Sequence, residues 1–372
     1  MAKKNILLGL FLISCVLFVM GLVWVQEQKK EFITIGAIIS LSGPQGPTIE
    51  GTGVQNGMLL AVDGINRFGG VNGKKIELII EDAQINPQKA KELFKIIEAR
   101  DHPLFYISTH SSVSAALAPL AEEHEVALMA TVATDPRITE GNPWVYRYWP
   151  TAVEELPVIT ALLEDLKVQE IGMLYVNDEF GQSVFRQMEK EAEDMSWGFK
   201  GEAFGVTTSD FKEHIARIFS SEALFLVGFP SQLEIILRQL KEEGFSGILI
   251  STNAAAGPSI QKLPESEGLY VTAPLIYNQN LLSAKAVREK YEQRFHEPFT
   301  HYAAAGYDLI ELIRALLEDE EFSRDRVRMV LEQGFVHPGV FGTNDVRPGD
   351  HDIGFPLSLG QIIGGQIRYR YK

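Results

Sequence analysis

Residues 32–82 read FITIGAIISLSGPQGPTIEGTGVQNGMLLAVDGINRFGGVNGKKIELIIED, and this stretch sets the architecture of the chain. Ile33–Ile39 is an apolar run of strand length with no polar alternation, as a strand covered on both faces requires. Met58, Leu59, Val62 and Ile65 then recur at helical spacing. They predict a helix over Met58–Phe68 that stops at Gly69-Gly70, a helix C-terminal signal. Lys75–Ile80 is the next strand. Strand, helix and strand in this order predict a parallel βαβ unit.

The rhythm continues outward. Pro87 opens a helix whose Ala90, Leu93, Phe94 and Ile97 share one face. Leu104–Ser108 reads as a strand, Ser111–His124 as a helix and Ala127–Thr131 as a strand. After Trp149-Pro150 the pattern restarts with a helix near Val153–Leu166, a strand at Ile171–Val176 and a helix from about Gln182. Asp210 is expected to cap Phe211–Phe219. Strands follow at Ala223–Gly228, Gly247–Ser251 and Leu269–Ala273, with a helix over Gln232–Glu243 between the first two. Further helices are expected at Leu282–Phe295, Tyr302–Leu317 and Ser323–Gln333. Gly364-Gly365 reads as the turn of a terminal hairpin. The predicted class is α/β, with two lobes, because 372 residues are too many for one hydrophobic core. No long linker separates the lobes, so the chain is expected to cross between them several times and to hinge.

Lys3 and Lys4 precede an apolar run from Ile6 to Val25, and charge returns at Glu27, Lys29 and Lys30. A helix of that length, at about 1.5 Å per residue, reaches about 30 Å and spans a bilayer core. The leading lysines predict a cytoplasmic N-terminus and an exported body. Three fates remain open for this segment. Its length favours an uncleaved anchor; Leu12-Ile13-Ser14-Cys15 resembles a lipobox, at which bacterial lipoproteins are cut and acylated; simple secretion is the third. All three place the body at the periplasmic or extracellular face of the membrane.

Cys15 is the only cysteine, so residues 31–372 contain no disulfide, thiolate metal site or thiol nucleophile. A net charge of −15 argues against a nucleic-acid partner. Gly51, Gly53 and Gly57 lie where a dinucleotide fingerprint would sit, but Asn56 occupies its third glycine position. The loop from Ser42 to Gly51 is also too long for that motif's tight turn. No nucleophile elbow or H-E-x-x-H motif is present. His110, His124, His296, His301, His337 and His351 lack metal-ligand spacing and read as surface or capping residues. Neither an enzyme nor a cofactor is expected.

Several landmarks together resemble a known family. They are Ser40-Leu41-Ser42-Gly43-Pro44 followed by Gly51 and Asn56-Gly57; Glu81-Asp82 before Pro87 and Ala90; and Ser111-Ser112 before a helix. Ala133-Thr134-Asp135-Pro136, Asn177-Asp178-Glu179-Phe180-Gly181, Asp210-Phe211 and Glu267-Gly268-Leu269-Tyr270 complete the set. In this order they are similar to type I periplasmic solute-binding proteins of ABC transporters, the leucine/isoleucine/valine-binding group, from Phe32 to the C-terminus. The resemblance implies two Rossmann-like lobes joined by a three-segment hinge, with crossings near Tyr148–Thr151, Ala273–Ile276 and Gly339–Gly342. Lobe one is then 32–148 plus 276–338, and lobe two 149–275 plus 339–372.

Ser111 precedes a helix whose free N–H groups attract an anion, and Thr134 follows a strand's C-terminal end. From the residues alone they serve equally as an N-cap and a turn residue. The resemblance implies that both bind ligand, with a backbone group near Val132 and an aromatic at Phe180, where tyrosine is usual. The family's amine-binding acid falls close to Asn253, which carries no charge, so Glu50 or Asp178 must supply one to an α-amino ligand. Glu50 stands where the family often has an aromatic. Phe229 and Tyr307 are further pocket candidates. The function implied is capture of a small amino-acid-like, amide or carboxylate ligand by lobe closure for an ABC-type importer. A membrane-anchored ligand-sensing module without a transport role is the alternative.

Overall fold

A strand with no polar face must be central in its sheet, and Phe32–Ile39 (β1) is: Ile35, Ala37, Ile38 and Ile39 are fully buried. The structure is a computed structural model that describes residues 32–277, 281–318 and 322–370. The apolar leader and its processing lie outside the described residues. After β1 a small hairpin pairs Ser42–Gly43 (β2) with Gly46–Pro47 (β3). The first lobe continues with Ile49–Arg67 (α1), Lys75–Asp82 (β4), Pro87–Asp101 (α2), Phe105–Thr109 (β5), Ser111–Glu123 (α3), Ala127–Thr131 (β6) and Val145–Arg147 (β7). The second comprises Ala152–Asp165 (α4), Glu170–Val176 (β8), Glu179–Met195 (α5), Gly198–Phe204 (β9), Lys212–Ile218 (α6) and Ala223–Val227 (β10). Pro230–Glu242 (α7), Ile248–Ser251 (β11), Pro258–Gln261 (α8) and Tyr270–Pro274 (β12) follow. The chain then forms Leu282–Phe295 (α9), His301–Leu317 (α10), Arg324–Glu332 (α11), a hairpin of Phe335–Gly339 (β13) and Gly342–Val346 (β14), and a terminal hairpin of Leu357–Ile363 (β15) and Gln366–Tyr369 (β16).

The first sheet has the order β4-β1-β5-β6-β7 and is parallel throughout. The second has the order β16-β15-β12-β11-β10-β8-β9, parallel from β12 to β9, with the terminal hairpin added antiparallel at β12. Each sheet is packed on both faces. In the first, Val54, Met58 and Leu309 lie on one side, and Phe94, Val113 and Leu117 on the other. In the second, Ile215 and Ile236 oppose Ile159 and Met188.

The chain passes from the first sheet to the second at 148–151 and back at 274–276. Gly339 and Gly342, expected to carry the third passage, instead pair with each other across the turn of the β13–β14 hairpin. The chain re-enters the second sheet between Phe355, packed in the first lobe's core, and Leu357, paired with Pro274. A buried network ties the hairpin to the first passage. Asp308 accepts hydrogen bonds from Tyr148 Oη at 2.9 Å and from the Val340 amide at 2.8 Å, and Asn344 Nδ2 donates to Tyr148 Oη at 3.0 Å.

Other differences from the expected elements have local causes. Helix α1 begins nine residues before Met58, capped by Thr48, whose Oγ1 accepts from the Gly51 amide at 3.2 Å. Glycines concealed this start, since they are poor helix formers, but here they serve packing. A Cβ on Gly51 would lie 1.9 Å from the Ser40 carbonyl oxygen, and one on Gly57 2.0 Å from that of Ala303. Thus α1 and α10 meet backbone to backbone, and the apparent fingerprint is a contact surface. Helix α5 starts at Glu179, with Asp178 as its cap. Phe211, not Asp210, holds the cap position of α6, although Asp210 Oδ1 still accepts from the Lys212 amide at 3.3 Å. The edge strand β9 has two glycines and two lysine or glutamate side chains, and no apolar run announces it.

This packing predicts opposite outcomes for two glycines of one helix. Gly57→Ala must push α1 off α10 and should cost about 1–3 kcal/mol in a denaturant melt. Gly64→Ala meets open space and should gain up to about 1 kcal/mol through helix propensity.

Candidate ligand-binding site

Both sheets reverse their winding once, between β1 and β5 in the first and between β8 and β10 in the second. At such a point the connections leave toward opposite faces, and a crevice opens beyond the strands' carboxyl ends. Here the two crevices face each other across one cavity. The first lobe lines it with Glu50 from the start of α1, His110 and Ser111 after β5, and Val132 and Thr134 after β6. The second lines it with Phe180 after β8, Phe229 after β10, and Thr252, Asn253 and Ala254 after β11. Trp149, at the first passage, and Tyr302, at the start of α10, complete the wall.

Seven of the eight residues singled out in the sequence therefore meet in one place. Tyr307 is not among the lining residues. It lies five positions beyond Tyr302 on α10, a rotation of about 140°, and its hydroxyl is bonded to Glu311. Asp178 is also elsewhere. It caps α5, accepting from the Gly181 amide at 3.0 Å, and opens onto a separate surface hollow with Arg137 and Arg186.

His110, expected at a surface or capping position, holds the cap position of α3 without a side-chain cap bond, and it is buried rather than at the surface. It is 3% exposed, and burial pushes its imidazole down to about 4, so the ring is neutral near pH 7. Nδ1 lies 3.1 Å from Thr109 Oγ1, whereas the buried Nε2 has no hydrogen-bond partner. The ring stands edge-on to Phe229, with centroids 5.6 Å apart. His110 also has φ of +69° and Val132 has φ of +52°, both in the region that disfavours non-glycine residues. Such strain, at the carboxyl ends of adjacent strands, is characteristic of binding sites.

The polar groups divide between those already paired and those left over. Ser111 Oγ accepts from the Thr134 amide at 3.1 Å, which joins the turns that follow β5 and β6. The first bond of α3 runs from the Ser114 amide to the His110 carbonyl at 2.9 Å, so the preceding amides of that turn lie outside the helical ladder. Asn253 gives its backbone N–H and its side-chain Nδ2 to Glu155 Oε1, at 2.6 and 3.0 Å, and Thr272 Oγ1 donates to the same oxygen. Glu155 is thus a buried acid behind the wall rather than part of it. Glu50 is 4% exposed, and burial pushes its carboxyl up to about 7, against the pull of its own amide and that of Ile49.

Contacts also cross between the lobes. Gln45 in the β2–β3 turn donates to the Thr208 carbonyl at 3.1 Å and accepts from Ser231 Oγ at 2.7 Å. Thr134 Oγ1 lies 3.4 Å from Ser183 Oγ, and Arg186 lies 3.6 Å from Asp135. Among the described residues no cluster of three or more His, Cys, Asp or Glu side chains could hold a metal ion, and none of their helices is long and apolar enough to cross a membrane.

The Glu50 environment has a measurable consequence. Its native pKa lies above the ordinary value of 4.5, so it favours folding while protonated, and that advantage is lost as pH rises through about 7. Glu50→Gln should therefore melt higher than wild type at pH 8, by about 2–3 kcal/mol of stability, and equal it near pH 4. His110 and His301, both held neutral by burial, act in the opposite sense, but they are common to both proteins and cancel in the difference.

A family model described as periplasmic binding protein matches residues 33–366. The leucine-, isoleucine-, valine-, threonine- and alanine-binding protein of Pseudomonas aeruginosa is 26% identical over 292 residues, covering 75% of this chain and 77% of the relative. A chemotactic signal transduction system substrate-binding protein, BasB of Halobacterium salinarum, is 22% identical, covering 75% of this chain and 68% of that protein. Among solved structures, the substrate-binding protein LivJ of Streptococcus pneumoniae in complex with isoleucine superposes with a TM-score of 0.81 at 19% identity, covering 91% of this chain and 98% of that one. A solute-binding protein of Rhodopseudomonas palustris in complex with 3,4-dihydroxybenzoic acid gives a TM-score of 0.81 at 19% identity, covering 91% and 96%. The chain belongs to the periplasmic binding protein family, whose members bind ligands rather than catalyse reactions.

Proposed function

We propose that this chain captures a small amino-acid-like, amide or carboxylate solute between its lobes and delivers it to an ABC-type importer. The observation that carries the reading is the convergence of Glu50, Ser111, Val132, Thr134, Phe180, Phe229 and Asn253 on one cavity between two facing switch points. In this reading the lobes are the units that move, hinged where the chain passes between the sheets. The solute's acidic or carbonyl end meets the first turn of α3, where unpaired amides and the helix dipole attract negative charge. The Nε2 atom of His110 supplies a further polar group with no protein partner. A ligand touching both lobes favours the closed arrangement by its differential affinity for it, and the contacts of Gln45 and Arg186 add to that state.

The apolar run at 6–25 is proposed to keep the body at the outer face of the cytoplasmic membrane, as a retained helix or through lipid on Cys15. Similarity to a chemotaxis substrate-binding protein favours a second reading, in which the same closure is sensed by a signalling partner rather than a permease. Solute uptake and chemotaxis assays on a deletion strain separate the two.

A thermal-shift screen of residues 31–372 against amino acids, amides and small carboxylates should raise the melting temperature with at least one class. Failure of every class would remove the solute-binding reading. For a solute that binds, Ser111→Ala and Thr134→Ala should each weaken affinity by about 10- to 150-fold, the worth of a hydrogen bond to a charged group. Unchanged affinity in both would show that the solute lies elsewhere.

A further inference from the structure

A buried carboxylate is expensive unless a cation or several donors accompany it. Glu50 lines the cavity and also the adjoining space toward α7, with which the cavity shares Phe229. The only basic side chain along either wall is His110, which is neutral. Among the described residues Glu50 has no ion-pair partner. It is also the only carboxylate among the residues that line the cavity; Glu155 lies behind the wall, with Oε1 held by Asn253 and Thr272, and Asp178 caps α5. Within the cavity itself the second lobe therefore lines the wall with no charged side chain. Around Glu50 the surfaces are aromatic. Burial, and after it the charge of the nearby Glu50 carboxylate, holds the Tyr302 phenol well above its ordinary range, and Trp149 stacks on Tyr302 with ring centroids 5.8 Å apart. A carboxylate flanked by aromatic faces is a complementary environment for an ammonium group, through charge and cation–π attraction together.

We propose that Glu50 receives a protonated nitrogen of the solute, so that the ligand is a small ammonium compound with an apolar body rather than a plain carboxylate or a neutral amide. The proposal rests on the reading of this cavity as the solute site. It also assigns the cationic end to the first lobe, at the start of α1, opposite the wall that carries Asn253.

The test uses matched sets that share one carbon skeleton, titrated calorimetrically into the full chain and its Glu50→Gln variant. Suitable sets are valine, 3-methylbutanoate and isobutylamine; phenylalanine, 3-phenylpropanoate and phenethylamine; and 4-aminobutyrate, butanoate and propylamine. Binding is expected only from members that carry the ammonium group, and Glu50→Gln should weaken it by about 10- to 100-fold. Glu234→Gln, at the outer wall of the adjoining space, should leave it unchanged. Glutamine keeps a hydrogen-bond donor, so an unaltered affinity in Glu50→Gln would mean that Glu50 acts as a neutral donor, and the proposal fails. Deaminated acids that bind wild type and variant alike overturn the proposal while leaving solute capture standing. No binding by any member of any set overturns both.

Discussion

The whole arrangement depends on one constraint: a parallel sheet wound in both directions has a single place where connections do not cover its carboxyl edge. In this chain that place lies between β1 and β5 in one lobe and between β8 and β10 in the other. Every lining residue except Trp149 and Tyr302 follows one of the strands at or beside these reversals. Because the chain passes between the lobes beside these edges, neither crevice faces bulk solvent alone. The site is thus a property of topology first and of side chains second.

Side chains then hold the edge in shape. Arg147, fully buried at the end of β7, donates to the carbonyls of Ala133 and Asp135 at 3.0 and 2.8 Å, to Thr139 Oγ1 at 3.1 Å and to Asp352 at 2.9 Å. A guanidinium's fixed fork can satisfy this many acceptors, and an ammonium cannot. It fixes the loop that carries Val132 and Thr134, whose amide is in turn tied to Ser111. The strained φ of Val132 is therefore sustained by surrounding contacts, as a backbone outside its preferred region must be. Asp308, Tyr148 and Asn344 form a comparable network where the β13–β14 hairpin meets the first passage.

The rhythm of apolar strands and amphipathic helices made the two-sheet architecture legible, because a strand buried on both faces leaves an unbroken apolar run. It also placed the turns after β5, β6, β8 and β11, where residue type and position coincide. It did not reveal elements without such a run, namely β7, β9 and the β13–β14 hairpin. The start of α1 was hidden because its glycines are used for contact with Ser40 and α10, a purpose that composition does not display. Tyr302 and Trp149 reach the cavity through tertiary packing of distant segments, which local pattern cannot report. His110 was within reach, as the residue between its strand and Ser111, but histidine spacing addresses metals and not burial. Tyr307 lies off the cavity wall for a rotational reason, since helix position alone separates it from Tyr302.

On the proposed reading, the unequal distribution of polar groups suggests an order of events. The first lobe holds Glu50, His110, Ser111 and the open turn of α3, so both ends of a zwitterion could be met before the lobes close. The second lobe brings Phe180, Phe229 and Ala254, with an asparagine already committed to Glu155. Closure would then add apolar burial and the exclusion of water more than new charge contacts. That division strengthens the interactions already made, because a charge pair gains when water leaves its surroundings. It also penalises a wrong ligand at the same step, since an unpaired Glu50 would be sealed in with no cation beside it.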